Sequence, residues 1–337
     1  MRLTSIGYNV GVVILAASAF IYARASSFSI HRVPSTTPIE TSPEESVRTG
    51  LIRLQEGTGL SLASFYKRVD VVKFSDRSLI QGKEPFITGG AALQGEISRD
   101  GDEIAFGVFG FQRRGSLAIV RHDDSGTQEF PNLTALGICW SYDKSHLAIS
   151  VQVPAMQYEP IHTNLILLNV ATKEVQQVSD GGNVTSQCWS PDGKRIVYEA
   201  NDSINVYDVD KKGARVLARG KFPTWSSDGK WLAFLDNDTY YAITPSGEGR
   251  KVLFKKKKAM SGLWWSPNSK IVAFLSQNST FEGPLTLDIE LVRLRVRRLA
   301  DGSEDWVAQD SAAYLPSYQW VTSPQLIQEV ESGATSR

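Results

Sequence analysis

An all-β fold follows from two features of this sequence. A short motif with a tryptophan and a turn recurs along the chain, and each copy leads into a continuous apolar triplet. The fullest copy is QCWSPDGKRIVYEAND, Gln187 to Asp202; its relatives are CWSYDKSHLAI from Cys139, TWSSDGKWLAF from Thr224 and WWSPNSKIVAF from Trp264. ISRDGDEIAF from Ile97 keeps Asp-Gly but has no Trp, and WVTSPQLIQ from Trp320 keeps Trp but has no Asp-Gly. The reference positions are 97, 140, 189, 225, 265 and 320, so successive copies lie 36 to 55 residues apart. Unequal, strand-rich repeats of that size predict a six-bladed β-propeller of four-stranded antiparallel blades.

Each blade element has a local reason. Ser190-Pro191-Asp192-Gly193 suits a type I turn, with a hydroxyl first, a preset φ second and Gly fourth. A left-handed Gly after such a turn makes the bulge of a three-residue hairpin. Strand a therefore ends at Trp189 and strand b begins near Arg195. Ile196-Val197-Tyr198 and Leu232-Ala233-Phe234 are unbroken apolar runs, as strands packed on both faces require. INVYDVD and LILLNV read as third strands, and ARVLA and RKVLF as fourth strands after polar turns. The last copy leaves room for strand a and, with QLIQEV, strand b. SFYKRVDVVKF and SLIQGKEPFIT supply about two strands at the other end, and pairing them with the C-terminal pair closes the ring and removes two free edges.

The W-S-P-D-G-K…I-V-Y pattern resembles the TolB-type propeller repeat, over roughly Ser64 to Val330. The resemblance implies a fold and says little of function. The segment before Thr49 is too short for the separate N-terminal α/β domain of TolB, so the likeness is to the propeller part alone.

Around the propeller, residues 51–331, lie three further segments. Residues 1–25 contain VGVVILAASAFI, Val10 to Ile21, with Ala23-Arg24-Ala25 after it. This reads either as a cleaved signal peptide or as an uncleaved anchor that tethers the chain through residues 5–23. Both readings imply export to the periplasm or cell envelope, the anchor to an inner membrane. Residues 26–50 are a Ser/Thr/Pro-rich linker without apolar periodicity, and 332–337 are a tail.

Composition narrows the function. Apolar content of 42% and charged content of 21% describe a globular core. Lys+Arg and Asp+Glu both total 36, which removes the broad electrostatic case for nucleic acid. The chain reads as monomeric. No Gly-x-Ser-x-Gly elbow is present. The four histidines, His31, His122, His146 and His162, have no metal-site spacing, and RDGDE and DVDKKG lack the alternating carboxylates of a calcium loop. No catalytic, cofactor-binding or metal-binding residue is therefore assigned. Cys139 and Cys188 hold equivalent places before the motif Trp in adjacent repeats. Facing sheets are too far apart for a disulfide except near the narrow axis, so both read as free thiols. Trp140, Trp189, Trp225, Trp265 and Trp320 read as packing between blades.

The a–b and c–d turns are short and share one face; the b–c and d–a connections share the other. FGFQRRG, QVPAMQYEPIHT and QNSTFEGP read as b–c loops, and KKKK and ADGSEDWVAQDSAAYLPS as d–a connections. This face would collect Phe111, Arg113, Arg114, Met156, Tyr158, Lys255, Lys256, Lys257, Lys258, Phe281, Trp306 and Tyr314, candidates for binding a protein or polymer. The reading is a non-catalytic exported scaffold. Two alternatives stay open: an enzyme of lactonase or glycan-lyase type using the central channel, and the sensor domain of a membrane-tethered signalling protein.

Overall fold

The computed structural model describes residues 50–58, 65–73, 78–80, 86–88, 91–110, 113–121, 126–153, 162–179, 182–255, 259–282, 288–312 and 317–321. Every regular element among them is a strand. The first four are β1 (Gly50–Thr58), β2 (Phe65–Lys73), β3 (Ser78–Ile80) and β4 (Phe86–Thr88). Five four-stranded sheets follow, each a meander of consecutive antiparallel strands. The first is β5 (Ala91–Ile97), β6 (Glu103–Gly110), β7 (Arg113–Arg121) and β8 (Thr127–Phe130). The second is β9 (Ala135–Trp140), β10 (His146–Val153), β11 (His162–Asn169) and β12 (Val175–Gln177). The third is β13 (Val184–Trp189), β14 (Arg195–Ala200), β15 (Ser203–Asp208) and β16 (Gly213–Arg219). The fourth is β17 (Lys221–Trp225), β18 (Leu232–Asp236), β19 (Thr239–Ile243) and β20 (Lys251–Lys255). The fifth is β21 (Ala259–Trp265), β22 (Ile271–Glu282), β23 (Asp288–Arg298) and β24 (Glu304–Ala312), and the last strand is β25 (Ser317–Val321).

The first and last described strands meet in one more sheet, ordered β25-β1-β2-β3 with β4 also on β2. Gly50 lies opposite Val321 and Leu54 opposite Ser317. The sequence places two N-terminal strands here, in SFYKRVDVVKF and SLIQGKEPFIT, with QLIQEV as strand b. The structure adds a third N-terminal strand, β1, in the position beside β25, while residues 325–330 lie outside the described residues. LIRLQEGT has Gly and charged residues among few apolar ones, so its strand character comes from its two neighbours and not from its own pattern.

Apolar triplets fill the seams between sheets. Ile196, Val197, Leu232, Ala233 and Phe234 are wholly buried, as strands covered on both faces must be. Trp140, Trp189, Trp225 and Trp265 are buried as well, each in a cluster that joins its own sheet to a neighbour. Trp140 donates its indole N–H to the Glu96 carbonyl of the preceding sheet at 3.1 Å, and Trp320 repeats the bond to the Trp264 carbonyl at 3.2 Å. Close backbone approach at one seam requires glycine: a Cβ on Gly107 would stand 2.3 Å from the Ala135 carbonyl oxygen.

Candidate functional site

The repeated motif is a clasp. In the third sheet the Ser190 hydroxyl donates to the Asp192 carboxylate at 2.5 Å and accepts the Arg195 N–H at 2.9 Å. Asp192 also accepts the Lys194 N–H, and the Gly193 N–H closes the turn on the Ser190 carbonyl. The same serine bonds recur at Ser98, Ser141, Ser226 and Ser266, with Asn268 in the place of the aspartate in the last. All five serines are buried. The expected left-handed glycine is present at Gly101, Gly193 and Gly229, with φ of 83°, 69° and 70°. Lys144 and Ser269 take the same conformation at φ 60° and 59°, so the clasp imposes it even without Gly. Serine and acid are thus spent on holding a hairpin, and the lysine contributes its backbone N–H.

The clasps interlock around one face. Lys144 reaches back to Asp100 at 2.5 Å and Asp102 at 3.5 Å, and the Arg99 guanidinium lies 4.4 Å over the Tyr142 ring. The Ser227 hydroxyl donates to the Ser266 carbonyl at 2.9 Å, and the Asp228 N–H donates to Ser269 Oγ at 3.0 Å. Within this face opens a cavity of about 140 Å³, lined by Glu96, Cys139, Cys188, Thr224, Trp264 and the clasp residues beside them. Those five hold one register position, immediately before the reference residue of their repeats, so strand a of each sheet turns this residue inward.

The electrostatics there are unusual. Burial pushes the Glu96 carboxyl well above the carboxylate range, and the Cys188 sulfur adds to the shift. The neighbouring Cys188 sulfur and burial raise the Cys139 thiol, while Cys139 in turn lowers the partly exposed Cys188. Burial and the same sulfurs raise the Tyr142 phenol. Both cysteines are free, as read from sequence. Sequence reasoning assigned no site here; the signal available was the shared register of residues 96, 139, 188, 224 and 264.

A larger groove of about 590 Å³ crosses the seam between the fourth and fifth sheets on the same face. Lys251, Lys270, Arg297 and Arg298 line it, with Lys251 Nζ 3.5 Å from the centre of the Trp231 ring. Arg297 is paired with Glu304 at 2.5 Å, so part of this positive charge is already neutralised.

On the opposite face the predicted residues distribute unevenly. Arg113 and Arg114 begin β7, Lys255 is exposed at the end of β20, and Phe281 stands opposite Ile289 near the tip of the β22–β23 hairpin. Phe111, Met156, Tyr158, Lys256, Lys257, Lys258 and Tyr314 lie outside the described residues. Trp306 is placed differently from the expectation. Ala300 to Ser303 form the c–d turn, with the Gly302 N–H on the Arg298 carbonyl, and Trp306 lies inside β24 opposite Arg295. The Asp-Gly pair made that turn, and the alternation of LVRLRVRR simply continues into a fourth strand. QNSTFEGP is likewise mostly strand, since β22 runs through Glu282. Asn201 and Asp202, at φ 52° and 59°, make a two-residue turn between β14 and β15, so the third sheet has no b–c elaboration at all.

This architecture defines an all-β propeller of the TolB type. A TolB crystal structure from Acinetobacter baumannii superposes with a TM-score of 0.59 at 14% identity, over 81% of this chain and 66% of that one. A TolB structure from Agrobacterium tumefaciens gives 0.53 at 15% identity, over 78% of this chain and 89% of that one. An oligogalacturonate lyase, solved in complex with manganese, gives 0.51 at 15% identity over 75% of each chain. The chain thus spans just under two thirds of the Acinetobacter protein. No protein-family model matches the sequence, and no curated protein matches it. At these identities the likeness establishes the fold.

Proposed function

We propose that the chain is an exported, non-catalytic, six-bladed propeller that binds a protein or polymer partner through the face of its b–c and d–a connections. The register of β1 on β25 supports closure, with the last repeat giving strand a and the N-terminal strands giving the rest of the sixth blade. The likeness to TolB structures supports an envelope location, reached through residues 1–25 as signal or anchor.

The β22–β23 hairpin is the observation that carries the binding reading. Its strands have 12 and 11 residues, against 6 and 6 for β14 and β15. Both strands are longer than those of any other described b–c hairpin, and Phe281 lies opposite Ile289 near the tip. Backbone ordered beyond what the core needs is how a rigid scaffold presents a contact surface. The lysine run begins at the end of β20.

The enzyme reading has one observation in its favour, the likeness to a lyase solved with manganese. Among the described residues no group of three or more His, Cys, Asp or Glu is placed to hold a metal ion, and the clasp acids are committed to turns. Affinity capture with the intact exported protein, repeated with Tyr158→Ala, Phe281→Ala and Lys255–258 changed to Ser, tests the proposal. Loss of the same partners in these variants, with unchanged melting, is the expected result. Partners that persist in all three would show that the face is wrongly assigned. Mass spectrometry of the mature protein decides the tether, since a start at Ser26 means cleavage.

A further inference from the structure

We infer that Cys139 and Cys188 form a two-coordinate thiolate site for a soft, thiophilic monovalent cation such as Cu(I), at the inner end of the clasp-face cavity. The inference rests on how the two sulfurs are held. Each lies at the same register position of adjacent sheets, Cys139 opposite Ala148 and Cys188 opposite Val197, which brings the pair together across the innermost part of the seam. Strand a is the edge strand of its sheet, so one row of its amides has no ladder partner. Cys139 meets one of those amides: the Trp189 N–H donates to Cys139 Sγ at 3.3 Å, and Cys188 Sγ lies 3.6 Å from the Trp189 carbonyl oxygen, so both sulfurs sit against the Trp189 backbone.

Backbone N–H groups aimed at sulfur favour the thiolate over the thiol, as outer-shell donors do around metal-bound cysteines. At rest the thiol protons are directed to carbonyls, Cys139 to Trp140 and Cys188 to Trp189, both at 3.6 Å. Binding would release both protons, leave the Trp189 amide bond in place, and put one cation between two thiolates with a net charge of minus one. Two soft sulfurs, with no third His, Cys, Asp or Glu placed to join them among the described residues, select a linear d¹⁰ ion over Zn²⁺ or Mg²⁺, which need four or more ligands.

A disulfide would require the sulfurs to close to about 2.05 Å, and both are free thiols here. Trp140 and Trp189, which follow the two cysteines, are buried and hold both strands in place. The cavity supplies the entry path, because it opens on the clasp face and reaches both sulfurs.

Anaerobic titration of the full chain with Cu(I) against a competing Cu(I) chelator tests the site. The expected result is one equivalent bound per chain, weakened by more than about a hundredfold in Cys139→Ser and in Cys188→Ser, a larger loss than outer-shell changes cause. Alkylation of the unmodified protein gives a second reading that needs no variant: bound Cu(I) should protect both thiols together. Absence of stoichiometric binding, binding retained in either variant, protection of only one thiol, or isolation of the pair as a disulfide whose reduced form binds no Cu(I) would each overturn the inference.

Discussion

Ser190→Ala isolates the clasp from everything else in the motif. The Ser190 side chain is wholly buried and makes two bonds, one to the Asp192 carboxylate and one from the Arg195 N–H. Removing the hydroxyl leaves the Arg195 amide without that partner at the start of β14, at about 1–3 kcal/mol for an unmet buried donor. Asp192 is exposed and regains water, so its loss is the smaller one. The sum is about 2–3 kcal/mol, and Ser226→Ala and Ser266→Ala should match it because their bonds repeat the geometry. Lys194→Ala, at an exposed position of the same motif, should stay within about 0.5 kcal/mol. Urea unfolding at neutral pH reads all four. If Ser190→Ala were as mild as Lys194→Ala, the hydroxyl would not be holding the hairpin, and a functional role for the motif would reopen.

Acid should weaken the clasps. Burial by itself raises Asp100, Asp192 and Asp228, but the clasp hydroxyls and amides, with Lys144 at Asp100 and Arg195 at Asp192, outweigh it; at Asp143 the Ser141 bond leads, and all four lie below the usual value. Groups depressed in the folded state contribute stability that is complete above about pH 4 and lost as pH falls through their lower folded values. Changing all four to Asn, the residue already working at Asn268, should flatten the acid limb of the stability curve, measured by urea unfolding between pH 2 and 5. Trp140→Phe should cost about 1 kcal/mol more than Trp189→Phe, since the Trp140 indole N–H is bonded and that of Trp189 is buried without a partner. Gly193→Ala should cost about 1–2 kcal/mol for its left-handed φ alone, as open space surrounds the new methyl. Gly107→Ala should cost more, because the Ala135 carbonyl must move to admit a Cβ; thermal melting ranks the two.

The turn and the strands beside it were legible because their causes are local. Pro191 presets φ, Gly193 takes the left-handed corner, and β13 and β14 end and begin at Trp189 and Arg195 as read. Lys144 and Ser269 show the limit of that logic, since nothing in their own chemistry calls for a positive φ; the clasp serine and its Asp143 or Asn268 partner do. Non-local causes were not legible. The strand character of β1 depends on β25, more than 250 residues later in the chain. The sequence pattern places Trp306 in a connection because Asp301-Gly302 has the same composition in a loop as in the tight turn it makes between β23 and β24. The meeting of Cys139 and Cys188 needed the distance between sheets at the axis, which a repeat alignment does not contain. For the loop face, only Arg113, Arg114, Lys255, Phe281 and Trp306 fall within the described residues.

Closure of the ring from both ends carries the proposed six-bladed reading, because only five sheets are complete meanders of consecutive strands among the described residues. Arg53 and Tyr318 are register partners of β1 and β25. Cysteines placed at both positions in the full chain, oxidised mildly and mapped by peptide mass spectrometry, should form one intramolecular disulfide linking residues 53 and 318. Recovery of both as free, alkylatable thiols, or only as links between chains, would contradict the closed six-bladed propeller.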